Sequence, residues 1–175
     1  ITTGNNELFL RRWYEVSFSN SRFESIDRWT ASESNKRWFP CNKGGTYRRW
    51  YGNNEFLIDW ERDGERIRGY CDSSGKRLSS PRNMEYYFQE SVTWTDISST
   101  FLGVRYSPPG SISETAGPAV YAGENSIGIL SFLCSPIAGE LVKIINPTLH
   151  CKPGNIAALP LPSIVNEKDI LESSS

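Results

Sequence analysis

Along the first 110 residues, apolar and aromatic positions come in short runs broken by turn-forming groups: Gly44-Gly45, Gly52-Asn53-Asn54, Asp63-Gly64, Ser74-Gly75 and Pro108-Pro109-Gly110. Short β-branched and aromatic runs bounded in this way predict strands and loops. Residues 56–60 (FLIDW) read as a strand and residues 45–51 (GTYRRWY) as another, with Gly52-Asn53-Asn54 closing a hairpin between them. Residues 83–88, 91–95 and 101–106 are further strand candidates. No internal repeat and no low-complexity block stands out.

From Glu124 the texture changes. Residues 126–133 (SIGILSFL) form an apolar run at helical length. Ser135-Pro136 then supplies an N-cap with proline at the first helical position, and residues 137–145 continue as a second helix. Asn146-Pro147 stops it. The pair is expected to bury Ile129, Leu130, Leu133, Ile137, Leu141 and Ile144. Residues 155–162 (NIAALPLP) are expected to be extended. The fold class is therefore α+β, a mixed or antiparallel β-rich module with a C-terminal helical pair. One domain spans 1–165: a β-rich part (1–110), the helical pair (124–146) and an extended Pro-rich end (147–165). Residues 166–175 read as the truncated start of a further helix. The chain opens without Met and stops within that run, the pattern of an excised domain.

At 175 residues, 38% hydrophobic and 22% charged, the chain has neither a disordered nor a membrane composition. No signal peptide or membrane-spanning stretch is apparent, and the expected location is the cytoplasm of a bacterium. Cys41, Cys71, Cys134 and Cys151 lie far apart with no CxxC pair, so they read as reduced thiols rather than a zinc site or a disulfide framework. The lone His150 is adjacent to Cys151, and neighbours on an extended segment point opposite ways, which disfavours a Cys/His nucleophile pair. Asp59, Glu61, Asp63 and Glu65 alternate with Trp60, Arg62 and Gly64. A metal-dependent nuclease would use such carboxylates, but the alternation also fits a solvated strand face. No hydrolase, zinc-peptidase or phosphate-loop motif is present.

Charge is segregated although the net charge is only -1. Residues 34–54 contain five cations (Lys36, Arg37, Lys43, Arg48, Arg49) and no acid, whereas beyond Ser111 three lysines face six acids. Aromatic residues make up 13% of the chain, and many lie beside arginine. Lys and Arg neutralise phosphates, Arg and Asn read base edges in the major groove, and rings stack on unpaired bases. Gly44-Gly45 lets backbone N–H groups approach a phosphate. The competing reading places Trp38, Trp50 and Trp60 in the core and the arginines on a solvated strand.

At these residues a family resemblance emerges. Residues 36–68 (KRWFPCNKGGTYRRWYGNNEFLIDWERDGERIR) resemble the "W-[YF]-P-x-N-K-G-G-x-[FY]-R-[KR]-W-Y-G-N" run of phage-growth-limitation (Pgl/BREX) type adenine-specific DNA methyltransferases. Residues 1–16 (ITTGNNELFLRRWYEV) and 80–99 (SPRNMEYYFQESVTWTDISS) agree in order with the same family. Residues 129–162 resemble the helix and "G-[DN]-[IV]-x-x-[IL]-P-[IV]-P" ending of Taq-type specificity domains. Cys134 departs from the pattern, which has Asn before the Ser of the second helix cap.

The resemblance implies the target-recognition part of a restriction-modification or phage-defence enzyme whose parent transfers methyl from S-adenosylmethionine to adenine N6. The parent's cofactor loop and Asn-Pro-Pro-[Tyr/Phe] motif are not in these residues, since Asn146-Pro147-Thr148 lacks the second proline and the ring. The fragment is thus read as non-catalytic, with no cofactor or metal of its own. Its expected partners are double-stranded DNA and the parent's catalytic domain, with other phage-defence subunits as further candidates. The division is physically sensible, because flipping an adenine into one domain requires another to grip the duplex and hold register. Lys43, Arg48, Arg49, Asn53 and Arg82 are the first candidate DNA contacts, followed by Lys36, Arg68, Trp94 and Arg105. The alternatives are a protein-docking module and a nuclease built on Asp59 and Glu61.

Overall fold

In the computed structural model, which describes residues 1–98 and 101–160, the chain is α+β, as the pattern predicts. Two short elements, α1 (Asn6–Phe9) and β1 (Leu10–Arg12), lead to α2 (Arg28–Glu33), β2 (Trp38–Asn42), β3 (Phe56–Asp59) and α3 (Glu61–Arg68). Four strands follow: β4 (Ser91–Trp94), β5 (Val104–Ser107), β6 (Ile112–Ser113) and β7 (Ala119–Val120). Three helices close the described region: α4 (Ser126–Leu133), α5 (Pro136–Ile145) and α6 (Pro153–Ala157).

Leu57 and Ile58, neighbours on β3, are both buried, so this strand is covered on both faces. It is central in a mixed sheet of order β1-β3-β2-β6, antiparallel to β1 and β2, with β2 parallel to β6. The hairpin expected between residues 45–51 and β3 does not form. The partner of β3 is β2, paired from Trp38↔Asp59 to Cys41↔Phe56, and residues 43–55 form the loop between them. Pro40 disguises β2 in the sequence. The Trp60 N–H donates to Arg37 O at 2.9 Å, so hydrogen-bonded pairs alternate through Phe39 and Cys41 and the missing N–H of Pro40 costs β3 no bond.

The second sheet has the order β5-β4-β7 and is antiparallel. Every residue of β4 is buried, because α4 covers one face. Ile129, Leu130 and Leu133 of α4 join Val92, Trp94 and Val104 in this core, while Phe9, Phe39, Ile58, Trp60, Ile67 and Phe88 build the other.

The helical pair starts and stops as expected. The Ser135 hydroxyl accepts from Ala138 N, Pro136 is at the helix start, and the two helices meet at 85°. That bend turns Ile137 and Ile144 outward, at 68% and 78% exposure, and Ala138 is buried with Leu141 and Val142 packed beside it. The expectation that Ile137 and Ile144 are core is corrected. Residues 83–88 hold a 3-10 turn (Met84–Tyr86) instead of a strand, entered through left-handed Asn83 (φ 53). Residues 153–157 are helical, not extended, since Pro153 starts α6 and Asn155 Oδ1 accepts from Lys152 N at 2.8 Å. Residues 161–175, including the expected truncated helix, lie outside the described residues. Among the described residues, no single helix is long and apolar enough to cross a membrane.

A candidate nucleic-acid interface

The loop between β2 and β3 carries the basic aromatic stretch, and its backbone is heavily constrained. Gly44, Gly45, Trp50, Gly52 and Asn53 all have positive φ. At Gly44 a Cβ would lie 2.5 Å from Ala116 O, so the chain passes too close for any side chain. Asn53 is buried, holds φ 60 and donates from its amide to Thr46 O at 2.9 Å. Thr95 Oγ1 donates to Gly45 O at 3.2 Å. The Trp50 N–H donates to Val104 O, and Trp50 O accepts from Tyr106 N, each at 2.8 Å, which fastens the loop along the free edge of β5. The loop therefore bridges the two sheets.

What it displays is basic and aromatic. Tyr47, Arg48, Arg49, Trp50 and Tyr51 are all exposed. Among the described residues, Arg48 and Arg49 have no ion pair or side-chain hydrogen bond. Lys43 Nζ lies 4.8 Å from the centre of the Phe56 ring, and the Arg12 guanidinium lies 5.2 Å from the same ring. Cations held against a ring keep their charge at the surface while losing side-chain freedom. This suits a surface that meets phosphates.

The other candidates divide. Trp94 and Arg105 are interior. The Trp94 indole donates to Cys151 O at 2.7 Å. Arg105 donates to Gly103 O at 2.8 Å and Thr95 Oγ1 at 3.3 Å, and burial pushes its guanidinium down to about 10. Arg105 supports the loop from beneath, beside Trp50, as Asn53 does from within it, whereas Trp94 packs in the second core; all three are buried. Lys36 donates to Ser19 O at 2.6 Å. Arg68 pairs with Asp63 at 2.8 Å. Arg82 is exposed and donates to Ser80 Oγ at 3.1 Å. It lines a cavity with Tyr121 and Lys152 that none of the loop residues lines. The structure thus brings Lys43, Arg48 and Arg49 together on one loop and leaves Arg68 and Arg82 elsewhere.

Sequence reasoning missed Arg12, which the register places opposite Phe56. A signal was available, since Arg-Arg-Trp-Tyr occurs at residues 11–14 and again at 48–51.

Of the carboxylates a nuclease would use, Asp59 and Asp63 are taken up in ion pairs. Asp59 is 1% exposed and bound by Arg37 at 3.0 Å and by Arg66. Asp63 is held by Arg28 and Arg68. It lies in a left-handed turn with Arg62 (φ 49) and Gly64 (φ 71), and a Cβ on Gly64 would lie 2.5 Å from the Trp60 ring. Among the described residues, no group of three or more His, Cys, Asp or Glu is placed to hold a metal ion. Cys151 is buried, and burial and the Asp96 carboxylate push its thiol up to about 11, which favours the protonated form. His150 Nδ1 and Lys152 Nζ instead face Asp96 Oδ2, at 3.2 and 2.6 Å.

Over 183 aligned positions covering the whole chain, the sequence is 37% identical to the adenine-specific methyltransferase PglX of Lacticaseibacillus casei (strain Zhang). Over 164 positions, 91% of the chain, it is 35% identical to the adenine-specific methyltransferase BrxX of Escherichia coli O9:H4 (strain HS). The chain spans 15% and 12% of the length of these relatives. No family model matches it. The resemblance read from the sequence therefore holds: the chain is similar, along its length, to a segment of these adenine-specific methyltransferases.

Proposed function

We propose that this chain, similar throughout to a segment of two adenine-specific methyltransferases, is the part that recognises double-stranded DNA for adenine-N6 methylation. The observation that carries this reading is the braced loop that displays Arg48 and Arg49, without an ion pair among the described residues, and has Lys43 at its base. Lys43, Arg48 and Arg49 are the leading contacts. Arg82, Lys36 and Arg68 remain secondary candidates on other surfaces. Phosphate gripping fixes register, and an Arg from the same loop can read guanine through O6 and N7. Methyl transfer from S-adenosylmethionine and extrusion of the adenine fall to the parent's catalytic part. The test is a titration of the intact chain and its Lys43→Ala/Arg48→Ala/Arg49→Ala variant against duplex DNA at several salt concentrations. Loss of affinity and a flatter salt dependence in the variant support the proposal.

A second reading, docking onto another protein surface, has its own observation. Ile137, Ile144 and Leu149 are more than half exposed around the end of the helical pair. This face fits contact with the rest of the parent polypeptide, and it shares Arg49 with the loop, since Arg49 lines a cavity with Leu149, Pro136 and Glu140.

A further inference from the structure

The recurrence of Arg-Arg-Trp-Tyr becomes meaningful once the fold is known. The two copies are separated by 37 positions in sequence, counting from Arg11 to Arg48; the first continues β1 of the first sheet, and the second runs along the edge of β5 in the other. Arg12 pairs with Phe56 in the β1–β3 ladder, and the next N–H, that of Trp13, donates to Glu55 O at 3.0 Å. The Glu55 carboxylate is in turn close enough to favour the charge on Arg105, the β5 residue that bridges to Trp50 of the second copy. Phe56 carries Arg12 of the first copy on its ring together with Lys43, from the base of the loop that holds the second.

All four rings are open to solvent: Trp13 at 58%, Tyr14 at 62%, Trp50 at 51% and Tyr51 at 60%. They are also placed rigidly. Trp13 and Tyr14 pack edge to face at 5.7 Å, and Trp50 is tied to β5 on both sides of its peptide at positive φ. Beside Tyr51 is a cavity of about 170 Å³, lined also by Phe23, Pro40, Asn42, Asn54 and Pro108. Phe23 stacks on Phe18 at 5.3 Å. The two segments therefore offer preorganised aromatic faces beside Arg12, Arg48 and Arg49, cations without an ion pair among the described residues.

A paired duplex hides the faces of its bases, so phosphate gripping alone leaves these rings without a use. Unpaired nucleotides expose both a charged backbone and flat π-faces, the two features this surface complements. We propose that the two Arg-Arg-Trp-Tyr segments form a stacking surface for unpaired nucleotides, with Trp13 and Trp50 as the platforms and Arg12, Arg48 and Arg49 on the backbone. The inference rests on the nucleic-acid reading above and adds a substrate class, DNA locally opened or single-stranded beside the duplex the loop grips.

Three labelled oligonucleotides test it on the intact chain: a blunt duplex, the same duplex with a four-nucleotide overhang, and the overhang strand alone. The overhang is expected to raise affinity over the blunt duplex by about 5- to 150-fold, the effect of stacking one base. Trp13→Ala removes that gain and leaves blunt-duplex affinity unchanged. Trp13→Leu, which keeps apolar bulk, behaves like the alanine variant, and quenching of tryptophan fluorescence by the overhang falls in both. Circular dichroism confirms the fold of each variant.

Equal affinity for blunt and overhang duplexes overturns the inference while leaving duplex recognition intact. Binding of the single strand with indifference to blunt duplex supports it and overturns duplex recognition. Equal weakening of every DNA by Trp13→Ala overturns it. So does a chain that binds no DNA and shields these rings only when the catalytic part of a relative is added, which assigns the surface to a protein partner.

Discussion

Asn53 separates a residue that supports the interface from one that reads DNA. Its side chain is 5% exposed, its amide donates to Thr46 O at 2.9 Å, and its φ is 60. Asn53→Gly keeps the left-handed backbone and removes the hydrogen bond. The lost bond costs about 0.5–1.5 kcal/mol, and the added freedom of the unfolded chain about 0.4–1 kcal/mol. Asn53→Ala also removes the bond and leaves in the left-handed region a residue that tolerates it less well than asparagine, a further cost of up to about 1 kcal/mol. Both variants are therefore expected to be destabilised to a similar extent in urea unfolding with unchanged m-values. The DNA salt slope should stay at its wild-type value, because no phosphate contact is lost. Two variants of wild-type stability with a selective loss of affinity for one DNA sequence would refute the bracing role and make Asn53 a base reader.

Leu133→Ala, at a side chain 1% exposed in the second core, should cost about 2–5 kcal/mol in the same unfolding assay. Gly64→Ala should destabilise strongly, because the new methyl lies 2.5 Å from the Trp60 ring at φ +71, and its loss of stability is read from the urea midpoint. Stability should also fall in alkali. Burial pushes Cys41 up to about 12 and Cys151 up to about 11, from 9.0. The unfolded chain therefore releases these protons first, and between pH 9 and 11 each thiol subtracts up to about 1.4 kcal/mol per pH unit. Cys151→Ala should flatten that decline in pH-dependent unfolding.

Local rules were readable where they acted alone. The Ser135-Pro136 cap and the Asn146 stop follow from capping chemistry, and both boundaries hold in the fold. FLIDW was legible as a strand from its β-branched and aromatic run. Its partner was not, because Pro40 breaks the appearance of β2 and only the ladder shows that its missing N–H faces away. The pattern on α5 placed Ile137 and Ile144 inside. The 85° bend at Cys134–Ser135 decides which face turns in, and a bend has no periodicity. At the site, the charge run identified the loop. It did not distinguish Arg48, which is exposed on the loop, from Arg105, which is buried on β5, because burial is set by the long-range pairing of Trp50 with β5. The part played by Arg12 depends on the β1–β3 register, a long-range pairing that local sequence does not encode.

The central claim is that Lys43, Arg48 and Arg49 grip duplex DNA, and its most direct measurement is the salt dependence of binding by the intact chain and its triple alanine variant. The wild-type chain should bind nonspecific duplex with a Kd of about 10⁻⁴–10⁻⁶ M. Its log–log slope against salt should flatten by about 0.9 for each phosphate contact removed in the variant. The variant should remain folded, since exposed cations contribute little to stability. A folded triple variant with unchanged affinity and unchanged salt slope would contradict the account.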